Sequence, residues 1–233
     1  MSTTDLISLD GITHGFYINL DERTDRRSHA DLEFAKVGIS PQRFSAIKTR
    51  DGAIGCSLSH LKCIEKAIEN EWGHVLICED DITFTNPILL KTQLDAFLAK
   101  RRSNSRYWDV IILGGNNFHP FTPVDPTCIQ VHRCQTTTGY IVNGHYMKTL
   151  ADNIRAGLNK LIVNPHQSLI YAIDKYWFIL QQRDRWYMII PATVVQMPNY
   201  SDIEKRDTDY TGILTNINKA MRPMPSKMAM HIK

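Results

Sequence analysis

Apolar and polar positions change period several times along this chain, and each change marks an element boundary. The stretch HGFYINL, residues 14–20, has the aromatic and β-branched content of a strand. It runs into DERTDRRSHADLEFAKVG, where Leu32, Phe34, Ala35 and Val37 suit a helix closed by Gly38. RFSAIKTRDGAIG then reads as a brief strand and a loop. SLSHLKCIEKAIENEWG puts Leu58, Leu61, Ile64 or Glu65, Ala67 or Ile68, and Trp72 at helical spacing, with Ser57 as N-cap and Gly73 past the end. HVLICEDDITF, residues 74–84, is a buried-strand pattern interrupted by three consecutive carboxylates. PILLKTQLDAFLAKR is an amphipathic helix with Pro87 in its first turn, and YWDVIILGGNN is a strand ending in a glycine turn.

The resulting order, β-α-β-α-β-α-β, predicts an α/β fold with helices on both faces of the sheet. The second half is less regular. CIQVHRC and TGYIVN read as strands, HYMKTLADNIRAGL as a helix, and WYMIIPATVVQMP as one or two strands. In NYSDIEKRD, Ser201 and Glu204 have the spacing of a capping box, or the segment returns a polar residue to the site. No Pro/Gly/Ser linker divides the chain, so residues 1–218 are expected to form one domain. Residues 219–233 carry two prolines and no periodic apolar face, and read as a basic, mobile tail.

Composition narrows the classes. An apolar content of 43% and a charged content of 22% are those of a globular protein with a sizeable core. The net charge of +3, from 27 basic and 24 acidic residues, is too balanced to argue for a nucleic-acid partner. No run reaches the ~18 apolar residues of a membrane span, and the first residues lack the n- and h-regions of a signal peptide. The expected location is therefore the cytoplasm. Five cysteines without C-x-x-C spacing are expected to stay reduced.

The chemistry concentrates at two strand ends. Glu79, Asp80 and Asp81 repel one another and resist desolvation unless a cation compensates them. Ligands of open α/β sheets sit beyond the carboxyl ends of strands, which would put Arg23, Arg26 and Arg27 on the same rim. Guanidiniums beside carboxylates suit a divalent metal bridging to a diphosphate. Strand alternation would place Glu79 and Asp81 on one face, towards the metal, and Asp80 on the other, towards a ribose or sugar.

YINLDERTDRR (17–27), GAIGCSLSH (52–60) and LICEDDITF (76–84), followed by TGYIVN, AIDKYW and QMPNYSDIE, resemble glycosyltransferase family 25, of lipopolysaccharide-type and procollagen galactosyltransferases. The resemblance implies a GT-A-like, Rossmann-type nucleotide-sugar-binding fold, with a mixed, mostly parallel sheet. It also implies a UDP-sugar donor, Mn²⁺ (or Mg²⁺), and inverting transfer of a galactose, glucose or N-acetylglucosamine-class sugar to a hydroxyl. The acceptor would be a glycan or a hydroxylated, collagen-like protein. Carried over by position, Tyr17, Ile18, Asn19 and Leu20 line the nucleobase and ribose, and Arg23, Arg26 and Asp80 meet the donor. Glu79 and Asp81 hold the metal, and Asp174 is the catalytic base. Ala53 stands where the family usually has an acidic residue, and the segment before Gly52 is short for the family.

Other readings compete. Glu79–Asp81 could be a solvated strand end, DERTDRR a salted helix start, and Asp174 a simple ion-pair partner of Lys175. A donor pocket without turnover would make the chain a nucleotide-sugar-binding protein. Cys56 and His60, four residues apart, suggest a Cys–His hydrolase or, with Cys63, a zinc site lacking two further ligands. The plainer reading of that pair is a buried thiol and a histidine satisfying backbone groups.

Overall fold

β1 (Gly15–Asn19) is buried along its whole length because it pairs on both sides and is covered on both faces. α1 (Thr24–Val37) leads from it to β2 (Gln42–Ser45), parallel to β1 on one side. α2 (Gly52–Glu69) carries the chain to β3 (His74–Glu79), parallel to β1 on the other side. Right-handed crossovers in opposite directions put α1 and α2 on opposite faces. The carboxyl ends of β1 and β3 thus flank the point where strand order reverses, the usual ligand crevice of such sheets.

The structure is a computed structural model describing residues 9–100, 107–201, 203 and 205–220. After β3 the chain forms β4 (Ile82–Phe84), α3 (Pro87–Ala99), β5 (Val110–Asn117), β6 (Phe121–Asp125), β7 (Cys128–Val131) and β8 (Cys134–Asn143). α4 (Met147–Val163) precedes three short helices, α5 (Ser168–Tyr171), α6 (Ile173–Tyr176) and α7 (Phe178–Arg183). β9 (Trp186–Ile189), β10 (Val194–Gln196), the hairpin β11 (Asn199–Ser201)–β12 (Arg206–Thr208) and α8 (Thr211–Thr215) follow.

The main sheet has the order β2-β1-β3-β8-β5-β9-β7-β6. β8 and β7 run against the other six strands, so the sheet is mixed and mostly parallel in direction. One core lies beneath α2, α4, α6 and α7, around Leu61, Ile64, Ile77, Leu150, Trp177 and Trp186. The other lies beneath α1 and α3, around Phe34, Leu76, Leu90, Leu94, Phe97 and Ile111. Helices cover both faces.

Several boundaries differ from the periodicity. HVLICEDDITF is two strands, because β3 stops at Glu79, the chain turns at Asp80–Asp81, and β4 pairs with β10 outside the main sheet. α2 begins at Gly52, five residues before the expected Ser57 cap. Asp51 is the N-cap and accepts from the amides of Ala53 and Ile54, while the Ser57 hydroxyl donates to the Ala53 carbonyl inside the helix. CIQVHRC is split between β7 and β8. Ser201 lies in a hairpin strand rather than at a helix start, so the capping-box spacing caps no helix. Lys219 accepts from the His119 amide through its carbonyl and Ala220 bridges to His119, so these two residues remain attached to the fold. The rest of the basic terminal segment lies outside the described residues.

Candidate active site

Asn19 closes β1 and is buried, and its Nδ2 donates to Asp80 Oδ2 at 2.7 Å. The ends of β1 and β3 are thereby tied side chain to side chain across the switch point. Arg43 on β2 donates to Asn19 Oδ1 at 2.9 Å and fixes which way the amide faces. Arg26, in the first turn of α1, places Nη1 3.1 Å from Asp80 Oδ1 and 3.0 Å from Asp81 Oδ2. Its Nη2 donates to the Tyr200 carbonyl in β11 at 2.9 Å, and Arg23 reaches the same carbonyl at 3.3 Å. Both Asp80 and Asp81 therefore face one guanidinium. The expected alternation does not separate them, because they form a turn and not a strand.

Glu79 points elsewhere. Its carboxylate accepts from Thr137 Oγ1 at 2.6 Å and from Gln196 Nε2 at 2.7 Å. Burial, reinforced by the charge on Asp81, holds its carboxyl well above the usual carboxylate range. Asp81 is also raised, by burial first, with the Arg26 charge opposing the shift. Asp81 Oδ1 and Gln196 Oε1 are buried without a hydrogen-bond partner. Unpartnered buried oxygens beside raised carboxyls are the polar atoms a hard divalent cation would satisfy, so the residues present fit such an ion.

Asp174, at the start of α6, joins the rim through β8. Its Oδ2 accepts from the Thr136 amide at 3.1 Å, one residue from the Thr137 that donates to Glu79. Lys175 Nζ lies 2.7 Å from the same oxygen. Because β8 is antiparallel to β3, its first residues lie beside the carboxyl end of β3, which brings residues 79 and 174 to one edge.

The other carried-over positions divide. Tyr17 is packed in the α1-side core, its hydroxyl donating to Asp31, and Ile18 lies in the opposite core. Asn19 is consumed by Asp80 and Arg43, while Leu20 is partly exposed. Arg23 is paired with Asp25 at 2.8 Å, and Arg27 is exposed. Thr137, Gln196, Arg43 and the Tyr200 carbonyl join the site without having been singled out in the sequence. Gln196 and Tyr200 lay in the quoted stretch QMPNYSDIE and Arg43 in RFSAIKTRDGAIG, while Thr137 lay in none, and nothing local marked any of the four.

His60 is buried and Cys56 half-buried against the same edge. Burial first, then the charges of Glu79 and Asp174, push the Cys56 thiol well above its usual range. Burial also pushes His60 down to about 3. A thiolate–imidazolium nucleophile is disfavoured on both sides, whatever the helix N-terminus contributes. All five cysteines are free thiols. Among the described residues no helix is long and apolar enough to cross a membrane.

A mixed sheet with its polar constellation at the β1/β3 switch point is the architecture expected of a GT-A-like fold. Residues 50–163 match the model of glycosyltransferase family 25 (LPS biosynthesis protein), and curated members of that family match the chain as well. A putative glycosyltransferase of Haemophilus influenzae is 32% identical over 99 residues, covering 33% of this chain and 35% of that protein. A glycosyltransferase 25 family member of Drosophila pseudoobscura pseudoobscura is 28% identical over 204 residues, 74% of this chain and 30% of that protein. The chain thus spans about a third or less of the length of these relatives. A solved glycosyltransferase involved in glycosylating the major capsid of PBCV-1 is similar at 11% identity and a TM-score of 0.45, over 82% of this chain and 95% of that one. A Drosophila beta-1,4-galactosyltransferase 7 mutant, in complex with manganese, UDP-Gal and xylobiose, is similar at 10% identity and 0.41, over 94% and 79%.

Proposed function

We propose that the protein is a metal-dependent glycosyltransferase that moves a hexose-class sugar from a UDP-sugar to a hydroxyl acceptor with inversion. One observation carries the reading. At the switch point, Asp80 and Asp81 converge on Arg26 with a buried Asp81 oxygen left unpartnered, and Asp174 stands on the same edge. Asp81 would hold a Mn²⁺ or Mg²⁺ ion, with Glu79 and Asp80 beside it. When bound, the ion supplies neutralisation of the charge that develops on the departing diphosphate.

The protein's own groups do the rest. Arg23 and Arg26 would form charge-assisted bonds to phosphate oxygens. Asn19 and Arg43 hold the Asp80 turn in place. The Asp174 carboxylate accepts the proton of the acceptor hydroxyl as that oxygen attacks the anomeric carbon. The acceptor class expected is a glycan or a hydroxylated protein.

The contact with Lys175 favours a second reading, a nucleotide-sugar-binding protein without turnover, since Lys175 Nζ, 2.7 Å from Asp174 Oδ2, occupies the carboxylate that would take the acceptor proton. UDP release from a panel of UDP-sugars with Mn²⁺, water serving as default acceptor, separates the two. Turnover should appear in the native protein and fall ~10²–10⁴-fold in Asp174→Asn, with UDP affinity retained. UDP binding without turnover by the native protein would establish the second reading.

A further inference from the structure

Cys56 and His60 stand four residues apart on α2, and the helical repeat turns both side chains to one side. Their spacing alone supplies two metal ligands. The fold adds a third from the end of β3. One ligand atom from each of Cys56, His60 and Glu79 lies within 4.8 Å of the others. We propose that this triad is a transition-metal site for a Zn²⁺-class cation, which borders the hard-cation position at Asp81 through Glu79 but draws its other two ligands from α2.

The donor set decides the class of ion. Thiolate, imidazole and a single carboxylate suit Zn²⁺ and its borderline neighbours, whereas Mn²⁺ and Mg²⁺ prefer all-oxygen surroundings. His60 is oriented as a metal-binding histidine is. Its Nδ1 lies 2.8 Å from the Tyr140 hydroxyl, and with the Nδ1 proton donated there the Nε2 lone pair is free. Tyr140 is itself buried against Trp177, so the ring that holds the imidazole cannot swing away cheaply. Thr137 donates to Glu79 and lies beside the Cys56 sulfur, so the outer partner of one ligand also borders the other. Glu79, Asp174 and Asp81 all present negative charge to the sulfur, which favours a cation there.

The site has an approach. His60 is buried, but Cys56 and Glu79 are half-buried. Three protein ligands leave a fourth tetrahedral position for water or a substrate oxygen. On binding, the thiol proton passes to solvent as the sulfur–metal bond forms. This inference does not rest on the transferase reading, because none of its geometry involves a sugar donor.

Co²⁺ as a spectroscopic stand-in tests it. Titration of the full chain with Co²⁺ should give a near-ultraviolet thiolate-to-cobalt charge-transfer band and visible bands of tetrahedral intensity. Zn²⁺ should abolish both by competition. The other four cysteines are fully buried, so the band should vanish in Cys56→Ser and weaken at least tenfold in apparent affinity in His60→Asn. It should persist in Asp81→Asn, and Mn²⁺-enhanced UDP binding should persist in Cys56→Ser, so the two sites fail separately. Circular dichroism would confirm that each variant is folded. No band in the native protein, or an unchanged band in folded Cys56→Ser, overturns the proposal.

Discussion

At the scale of single residues, the three carboxylates after β3 have three different environments. Glu79 is held by Thr137 and Gln196, Asp80 by Asn19 and Arg26, and Asp81 by Arg26 alone on one oxygen. Asp81 is therefore the carboxylate with unused coordinating capacity. Calorimetry should show UDP binding at least ~10-fold tighter with Mn²⁺ than with EDTA, about 1.4 kcal/mol, and Asp81→Asn should erase that difference. Equal affinities in the native protein would remove the metal from the mechanism.

At the scale of elements, what was legible were runs with one dominant period. Pro87 and the Asn86 cap of α3, Gly38 after α1 in the left-handed region, and the buried β1 and β5 follow from local chemistry. The motif order also located the strand ends that carry Asn19 and the carboxylates. What was not legible depends on distant partners. β4 leaves the sheet to pair with β10, more than a hundred residues away, and Glu33 is buried inside a polar helix to accept from the Phe84 amide. The short helices α5–α7 are too brief for a period to show. The start of α2 was hidden by GAIG, whose small residues look like a loop. Gly55 is required there because a Cβ would come within 2.4 Å of the Ile47 carbonyl oxygen. The Asp51 cap supports this tight entry, so Asp51→Ala should lower stability by ~1 kcal/mol in urea unfolding, with the m-value unchanged. An unaltered midpoint would show that packing alone sets the start of α2.

At the scale of the whole molecule, both cores are built on one sheet, and the site lies where the two covering layers part. A ligand bound at the switch point would bridge β1, β3, α1 and the β11–β12 hairpin, so binding should stabilise the fold as a unit. At ~100 times its dissociation constant a ligand adds ~2.7 kcal/mol, roughly 5–10 °C for a domain of this size. Differential scanning fluorimetry with Mn²⁺ and UDP together should show that rise, and Asp81→Asn should not. A rise of equal size with UDP in EDTA would count against a metal bridge.

Arg26 gives this site an unusual thermodynamic character. Asp80 and Asp81 already share a cation, one tethered to the chain and anchored to Tyr200. Incoming Mn²⁺ would have to compete with the guanidinium, whereas a nucleotide arriving with it would offer that guanidinium a phosphate in exchange. Metal and nucleotide should therefore bind with positive linkage, each raising the affinity of the other by the same factor. Separate titrations of Mn²⁺ with and without saturating UDP would measure that factor, and in Arg26→Ala it should shrink, because Mn²⁺ alone would bind more tightly to carboxylates with no resident cation. If the factor is the same in both proteins, the guanidinium does not trade partners.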